Sequence, residues 1–393
     1  MKILILSFYF EPDLSAGSFR ATALVNQLAS LMEDGSHIDV VTTLPNRYRT
    51  FTVEAARLEQ RPKVTINRFA LPTHRSGMFD QAKAFLAFAR QVLMYVKSRE
   101  YDLVYATSGR LMSAVMGAWV ARKKKALLYL DIRDIFVDTI KDVLPWYLAV
   151  IAQPFFSILE KGACQRADTV NLVSQGFSEY FFSRYPGQRL LFFPNGIDDD
   201  FVVAAPSGDT YHHESKGQVK VLYAGNIGEG QGLHAIIPEL AKRMRGRVQF
   251  RIIGDGGRRQ ALHDALVDGG IDNVDLMEPV QRKHLIKAYQ DADVLFLHLN
   301  DFDAFKKVLP SKLFEYAAMG KPIWAGVSGY AAEFIRSEID NAVVFHPCDA
   351  EGGEQVFTNL KLRVTPRPRF VQKYARASIV KEMARDMLAR LVA

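Results

Sequence analysis

Short apolar runs alternate with helix-length segments along the whole chain, and this rhythm constrains the fold more than any other feature of the sequence. Most runs are continuous stretches of aliphatic and β-branched residues, which is typical of parallel strands covered by helices on both faces. Strands separated by helix-length segments predict βαβ units, and therefore an α/β fold of doubly wound sheets. The predicted strands are residues 2–7, 38–43, 64–69, 103–106, 126–130, 169–173, 190–193, 219–224, 248–253, 274–277, 293–298, 322–325 and 342–345.

A turn-rich segment divides these strands into two groups. Residues 193–200 read FPNGIDDD, and the polar stretch 207–218 precedes the next strand. The length of 393 residues suits two domains. We predict an N-terminal domain over 1–195, a C-terminal domain over 196–369 and a final helical segment over 370–393, which has an apolar stripe that needs a surface to cover it.

Positive charge is concentrated in the first predicted domain. Residues 1–195 carry 24 Lys and Arg against 17 Asp and Glu, whereas the remainder carries 26 of each. An anionic lipid surface or a phosphate-bearing substrate fits this better than nucleic acid, because no basic ribbon interleaved with aromatic residues occurs. The apolar segments 111–121 and 143–159 are either core helices or a docking surface for an anionic membrane, and the sequence leaves both readings open.

Ligands of open α/β sheets bind beyond the carboxyl ends of the strands, which directs attention to the loops there. In the first domain, Gly17 lies just before a predicted helix and would allow a ligand to approach the backbone. Asp131-Ile132-Arg133-Asp134 places three charges at the tip of a buried strand. Such charges are either paired in a structural cluster or used in function.

In the second domain, two glycine-rich turns follow strands. Residues 225–232 hold four glycines in eight positions, which suggests backbone amides around a phosphate, and residues 253–259 form a second turn containing Arg258. No GxGxxG pattern occurs in the loop after the first strand, which weakens a nicotinamide or flavin interpretation. The sequence has two cysteines and no Cys/His cluster, which argues against a disulfide framework and against a zinc site.

The most informative segment, residues 307–322, reads KVLPSKLFEYAAMGKP. Ser311 is predicted to cap a helix whose first amides, near Lys312 and Leu313, would suit a diphosphate. Glu315 lies one turn further, where a carboxylate could accept hydrogen bonds from two ribose hydroxyls. Its neighbours are apolar, so an unused carboxylate would be costly there, although a solvated helix residue is the alternative.

With these motifs, the chain resembles the family-4 retaining glycosyltransferases of GT-B fold over essentially its whole length. The resemblance rests on FPNGID at 193–198, GDG at 254–256, YQDADV at 289–294 and FEYAAMGKP at 314–322. It implies two Rossmann-like domains facing a cleft, with a nucleotide-sugar donor held mainly by the second domain and an acceptor site on the first. It also implies a C-terminal helix that crosses back to the first domain.

The chain departs from the family pattern at charged positions. The family usually has two glutamates eight residues apart near the donor, and here they are Lys307 and Glu315. The arginine and lysine that the family places in the glycine loop are Asn226 and Gln231.

We therefore expect other cations to neutralise the donor diphosphate. The hypothesis is that Lys307 and Lys312, together with Arg258 or Arg20, supply this charge from the other side of the cleft. This arrangement is similar to a branch of bacterial O-antigen and capsule transferases that resemble L-fucosamine transferases. Their donors are commonly UDP-linked N-acetylated sugars, and their acceptors are polyprenyl-diphosphate-linked glycans.

The resemblance implies a metal-independent, retaining transfer without a resident cofactor, catalysed by a protein in the cytoplasm or at the cytoplasmic face of the inner membrane. A UDP-sugar epimerase of similar fold and a degenerate transferase subunit are the alternatives. The predicted catalytic residues are Lys307, Arg133 and Asp134, and Arg20 is placed on the acceptor side. The predicted donor-binding residues are Gly17, Asn226, Gly228, Arg258, Pro279, Val280, Ser311, Lys312, Leu313 and Glu315.

Overall fold

The computed structural model describes residues 1–13, 15–45, 54–71, 78–108, 111–143, 146–206 and 217–392, with backbone alone at 78–81, 141–143 and 151. The chain forms two compact units, one of Met1–Asn195 with Arg376–Ala393 and one of Gly196–Ala375. Most of the polar stretch predicted at 207–218 and residues 144–145 of the apolar segment 143–159 lie outside the described residues.

The first unit is built on an eight-stranded sheet with strand order β3-β4-β2-β1-β5-β6-β7-β8. All neighbouring strands are parallel except β3, which runs antiparallel to β4. The strands are β1 (Lys2–Leu6), β2 (His37–Thr43), β3 (Leu58–Arg61), β4 (Val64–Phe69), β5 (Leu103–Thr107), β6 (Leu127–Ile132), β7 (Thr169–Leu172) and β8 (Leu190–Leu191). The helices are α1 (Ala16–Leu31), α2 (Met78–Val96), α3 (Leu111–Lys124), α4 (Phe136–Val143), α5 (Trp146–Arg166) and α6 (Ser178–Arg184), with a 3-10 turn at Gln175–Phe177.

The second unit is built on a six-stranded parallel sheet with strand order β11-β10-β9-β12-β13-β14. The strands are β9 (Val219–Ala224), β10 (Val248–Ile253), β11 (Val274–Met277), β12 (Val294–His298), β13 (Ile323–Gly326) and β14 (Ala342–Phe345). The helices are α7 (Asp199–Ala204), α8 (Leu233–Arg243), α9 (Arg259–Asp268), α10 (Arg282–Asp291), α11 (Lys312–Ala318), α12 (Gly329–Glu338), α13 (Ala350–Phe357) and α14 (Pro368–Tyr374), with 3-10 turns at Glu229–Gln231 and Asp303–Lys307.

Both sheets confirm the predicted fold class, and each predicted strand is present. The strand β3 was not predicted, because its residues Leu-Glu-Gln-Arg form a polar edge strand and not an apolar run. In the second unit the strand order reverses between β9 and β12, since β10 lies on one side of β9 and β12 on the other. Such a switch point is where open α/β sheets bind ligands.

The C-terminal segment differs from the single predicted helix. It forms α14 in the second unit and then α15 (Arg376–Val392) in the first. The break coincides with backbone pairing, because the carbonyl oxygen of Tyr374 accepts a hydrogen bond from Ile197 N–H at 2.8 Å. In α15, Met383 and Met387 are buried in the same apolar cluster as Leu24 and Leu28 of α1, so α1 supplies the surface that the apolar stripe needs.

The two apolar segments of the first unit differ in burial. Most of α3 is buried, which fits a core helix, and Gly117 packs against Ala106 of β5. The helix α5 continues through Pro154, and several of its large apolar side chains are exposed. Among the described residues, no helix is both long enough and apolar enough to cross a bilayer.

Candidate active site

Two glycine-rich turns lie backbone to backbone at the switch point of the second unit. Gly225 follows β9 and Gly254 follows β10, and both have positive φ angles, of 147° and 159°. A Cβ atom on Gly254 would overlap the carbonyl oxygen of Gly225, so only glycine allows the turns to approach this closely. Gly225 N–H donates to the carbonyl oxygen of Ile253 at 2.8 Å, and Ile227 N–H to that of Asp255 at 2.9 Å.

The side chain of Lys312 lies directly over the first of these turns. A Cβ atom on Gly225 would overlap Cε and Nζ of Lys312, and Nζ is 5.3 Å from the centre of the Tyr223 ring. Lys312 is the first residue of α11, so the start of that helix and the glycine turn form one positively charged corner. The sequence predicted a lysine of this segment at the phosphates, and the structure brings Lys312 to the glycine loop.

The start of α11 itself differs from the prediction. Ser311 has helical φ and ψ angles of −60° and −32°, and its side chain makes no capping hydrogen bond. The N–H of Leu313 donates to the carbonyl oxygen of Pro310 at 3.1 Å. The amide of Leu313 is therefore used within the turn, and the side chain of Lys312 is the better candidate for a phosphate contact.

Asn226 and Gln231 brace the glycine loop. Asn226 Nδ2 donates to Gln231 Oε1 at 2.7 Å, and the same oxygen accepts from Gly228 N–H at 3.2 Å. The two positions at which the family usually has cations are thus joined by a neutral amide pair. Their hydrogen bonds fix the shape of the loop across its whole width.

The end of β12 holds the other side of this loop, through residues that the sequence interpretation missed. His298 is buried, and its Nδ1 lies 2.7 Å from the carbonyl oxygen of Gln231, while its Nε2 accepts from Cys348 N–H at 2.9 Å. Burial lowers the pKa of His298 to about 4, so the ring is neutral at ordinary pH and Nδ1 carries the proton. Asn300 N–H and Nδ2 donate to the carbonyl oxygens of Gly230 and Glu229, at 2.9 and 3.0 Å.

The position of His298 was visible in the sequence, because it is the last residue of an apolar strand that ends at the predicted ligand edge. A polar residue there differs from the rest of its run, and that signal was not used.

Glu315 lies about one turn after Lys312 in α11 and belongs to a polar network. Its Oε2 accepts a hydrogen bond from the hydroxyl of the buried Tyr289 at 3.2 Å. Arg282 lies close enough for its charge to interact with Glu315, and it pairs with Asp198 and, at 3.2 Å, with Asp200. Glu315 is half-buried and anchored, which fits neither a fully solvated residue nor an unpaired buried charge.

The remaining predicted donor-binding residues lie in loops and turns of the second unit, and their positions give less support to a donor contact. Arg258 pairs with Glu229 of the glycine loop, so the positive charge predicted for the diphosphate is already balanced by a carboxylate. Lys307 ends the 3-10 turn Asp303–Lys307 and is half-buried. Pro279 and Val280 lie in the loop after β11, and Val280 packs against the core.

Arg20 is a structural residue of the first unit. It is 1% exposed, and it forms two hydrogen bonds with Asp131, at 2.8 and 3.0 Å, and donates to the carbonyl oxygens of Pro194 and Phe193. Burial alone would raise the pKa of Asp131, but Arg20 and the hydrogen bonds from Asn171 and Tyr105 outweigh it and hold that pKa below its usual value. Arg20 is therefore buried and hydrogen-bonded within the described part of the first unit, which argues against its predicted place on the acceptor side.

Arg133 occupies the ligand edge of the first unit, just beyond β6. A Cβ atom on Gly17 would overlap its Nη1, so the glycine provides room for this guanidinium at the start of α1. Burial lowers the pKa of Arg133 from its ordinary value, while Asp131 and Asp134 act in the opposite direction. Its Nε is buried and has no hydrogen-bond acceptor among the described residues. Asp134 is exposed beside it.

Comparison with known proteins places this architecture in a family. A family model described as "Glycosyl transferases group 1" matches residues 218–359, and one described as "Glycosyl transferase 4-like domain" matches residues 21–196. The solved structure of Anabaena HepE in complex with UDP superposes with a TM-score of 0.65 at 17% identity, over 99% of this chain and 100% of that one. The fold is therefore GT-B, and the chain belongs to the family-4 type of glycosyltransferases.

Two curated relatives have informative names. A colanic acid biosynthesis glycosyl transferase, WcaI, from Escherichia coli (strain K12) is 28% identical over 168 residues, which is 41% of this chain and 41% of that protein. The 2-deoxystreptamine N-acetyl-D-glucosaminyltransferase of Niallia circulans is 22% identical over 374 residues, covering 89% of this chain and 92% of that protein. Neither relative identifies the donor or the acceptor of this chain.

Proposed function

We propose that this protein transfers a sugar from a UDP-linked, N-acetylated donor to a lipid-linked or glycan acceptor in bacterial surface polysaccharide synthesis. The observation that carries the proposal is the ammonium group of Lys312 over the glycine turn at Gly225, at the switch point of the sheet. A cation beside backbone amides at this edge is suited to a nucleotide diphosphate. The UDP in the similar Anabaena structure and the sugar-transfer names of the relatives support it.

In this proposal the residues of the second unit hold the donor. Lys312 contacts the diphosphate, and Lys307 lies on the donor side near the sugar or its phosphates. Glu315 accepts hydrogen bonds from the ribose hydroxyls, and the anchoring hydroxyl of Tyr289 keeps the carboxylate oriented for this. Pro279 and Val280 lie beside the base. The braced loop around Asn226 and Gly228 offers its backbone to the phosphates.

The acceptor is proposed to bind the first unit beside Arg133 and Asp134. Arg133 is the better of the two candidate arginines, because its buried Nε lacks an acceptor among the described residues, whereas the donors of Arg20 are used. A phosphate of a lipid-linked acceptor would satisfy this group.

The proposed reaction proceeds with retention at the anomeric carbon. The acceptor hydroxyl attacks that carbon on the face from which the diphosphate leaves, the bond from carbon to diphosphate oxygen breaks, and the hydroxyl proton passes to the departing phosphate oxygen. Lys312 stabilises the negative charge that develops on the leaving group, so the reaction as proposed needs neither a metal nor a resident cofactor.

Calorimetric titration with UDP and a panel of UDP-sugars tests the donor site. A charge-assisted hydrogen bond contributes roughly 1.5–3 kcal/mol, so Lys312→Met should weaken UDP binding about ten- to a hundredfold. Lys242→Met, which removes an exposed lysine from the last turn of α8, should leave it unchanged. Absence of UDP binding to the wild type would contradict the proposal.

Transfer itself is measured by UDP release in the presence of lipid-linked glycans and a metal chelator, with the anomeric configuration of the product read by NMR. Binding of UDP-sugars without release in any acceptor mixture would favour the degenerate subunit over the enzyme.

A further inference from the structure

The outer side of α5 is apolar over its first turns. Trp146 is 79% exposed, Val150 65% and Ile158 71%, and Tyr147 and Phe155 are exposed as well. A helix on the surface of a protein in water normally turns its apolar side inward. Here large apolar side chains face outward along about three turns.

Neighbouring helices extend this surface. In the first unit, α3 packs against both α5 and α2. The exposed side of α3 carries Trp119, with Lys123 Nζ at 5.8 Å from the ring centre. On α2, the exposed apolar residues Leu86 and Met94 alternate with basic ones. We name this surface the α2–α3–α5 face; its exposed members are Lys83, Leu86, Arg90, Met94, Lys97, Trp119, Arg122, Lys123, Trp146, Tyr147, Val150, Phe155, Ile158 and Lys161.

The described side chains of α2, α3 and α5 include no exposed acid. Among the described side chains of the three helices the one carboxylate is Glu160, which is buried and accepts hydrogen bonds from the hydroxyls of Tyr180 and Tyr185, both at 2.7 Å. Six exposed basic side chains of the first unit are therefore presented here next to aromatic and aliphatic side chains. Contiguous exposed patches of this kind mark an interaction surface.

We propose that the α2–α3–α5 face docks on an anionic lipid bilayer. Tryptophan and tyrosine suit the boundary between headgroups and acyl chains, and long basic side chains can reach anionic headgroups while their stems stay in the apolar layer. A second copy of this chain fits less well, because a two-fold contact would bring the same positive charges against each other. The proposal rests on this surface and not on the sugar-transfer reaction.

Fluorescence of the full chain tests the docking directly. The protein has three tryptophans, of which Trp119 and Trp146 are exposed on the face and Trp324 is fully buried in the second unit. Vesicles of phosphatidylglycerol mixed with phosphatidylcholine should shift the emission to shorter wavelength and carry the protein into the pellet on centrifugation. Vesicles of phosphatidylcholine alone should do so much less, and added salt should reduce the binding.

Variants separate the apolar from the basic part of the face. The triple variant Trp146→Ser, Val150→Ser and Ile158→Ser should weaken partitioning to the anionic vesicles at least tenfold. A matched control, Val203→Ser with Val267→Ser, removes exposed valines of the second unit and should bind like the wild type.

The basic part is tested by Lys83→Gln, Arg90→Gln and Lys123→Gln, each of which should weaken partitioning up to about fivefold. All the replaced side chains are exposed, so we expect each variant to fold. Thermal melting of each variant checks this.

Three results would overturn the proposal. The wild type could fail to sediment with anionic vesicles, or the triple variant could bind these vesicles as strongly as the wild type does. The third result is a dimer in light scattering that the triple variant dissociates, which would assign the face to a second copy of the chain. UDP binding is measured in the same samples, so failure of docking stays distinct from failure of the proposed reaction.

Discussion

Replacing Gly225 with alanine tests the central contact of the site without changing any charge. The new Cβ atom would overlap Cε and Nζ of Lys312, which is the mobile end of a flexible side chain, so the ammonium group moves and the backbone stays. If that group binds the diphosphate, the affinity for UDP should fall roughly ten- to a hundredfold, which is the loss of about 1.5–3 kcal/mol expected for a charge-assisted contact.

The substitution also costs stability, because the φ angle of Gly225 is +147°. A non-glycine residue in such a region costs about 1–3 kcal/mol. Gly246→Ala separates the two effects, since Gly246 has a φ of +78° but no atom within 4 Å of a built Cβ. This control should lower the free energy of unfolding in urea while leaving calorimetric UDP affinity at the wild-type value.

A double-mutant cycle makes the reasoning refutable. Gly225→Ala and Lys312→Met should each weaken UDP binding, and the double variant should bind no more weakly than the worse single variant, because both act through one ammonium group. Additive losses, or normal UDP affinity in Gly225→Ala, would show that Lys312 does not hold the phosphates from its position over the turn.

Other measurements probe the residues around this contact. Burial lowers the pKa of His298 to about 4 from 6.5, so the unfolded chain binds a proton in that interval that the folded chain does not; stability should fall with decreasing pH there by up to about 1.4 kcal/mol per pH unit, and urea unfolding of His298→Asn should lack this part of the slope. Glu315→Ala should raise the donor KM about tenfold or more with little change in kcat, whereas a KM equal to that of the wild type would remove the ribose role. Asp131→Ala leaves Arg20 buried without its carboxylate and should cost about 3–5 kcal/mol in calorimetric unfolding, and a loss below 1 kcal/mol would contradict the structural role of the pair.

Much of the fold could be predicted from the sequence because its strands are apolar runs. Parallel strands covered on both faces have no reason to alternate with polar residues, so their signal is continuous and strong. The polar edge strand β3 lacks that signal. The break between α14 and α15 at Ala375 was also not predictable, because Phe370 and Met383 fit one apolar helical stripe in the sequence. The hydrogen bond from Ile197 N–H to the carbonyl oxygen of Tyr374, which coincides with the break, is visible only in the structure.

The site was less predictable, because a sequence shows which charges are present and not how they are partnered. Arg20 and Arg133 looked alike, yet Arg20 is bound to Asp131 and to two backbone carbonyl oxygens. Arg133 lies over Gly17, and its buried Nε has no acceptor among the described residues. Arg258 was expected to serve a diphosphate, but Glu229 already balances it. The roles of Lys307 and Asp134 stay predictions.

The exchange of charges in the second unit has a physical logic. A cation within the glycine loop would carry its charge on a long side chain that the loop itself must hold in place. In this chain, the side chains of Asn226 and Gln231 instead form a hydrogen bond that makes the loop rigid. The positive charge then comes from Lys312 on a neighbouring element, over the same turn. A braced loop that presents backbone, together with a lysine at the start of α11, can therefore supply the shape and the charge that a diphosphate requires from separate residues.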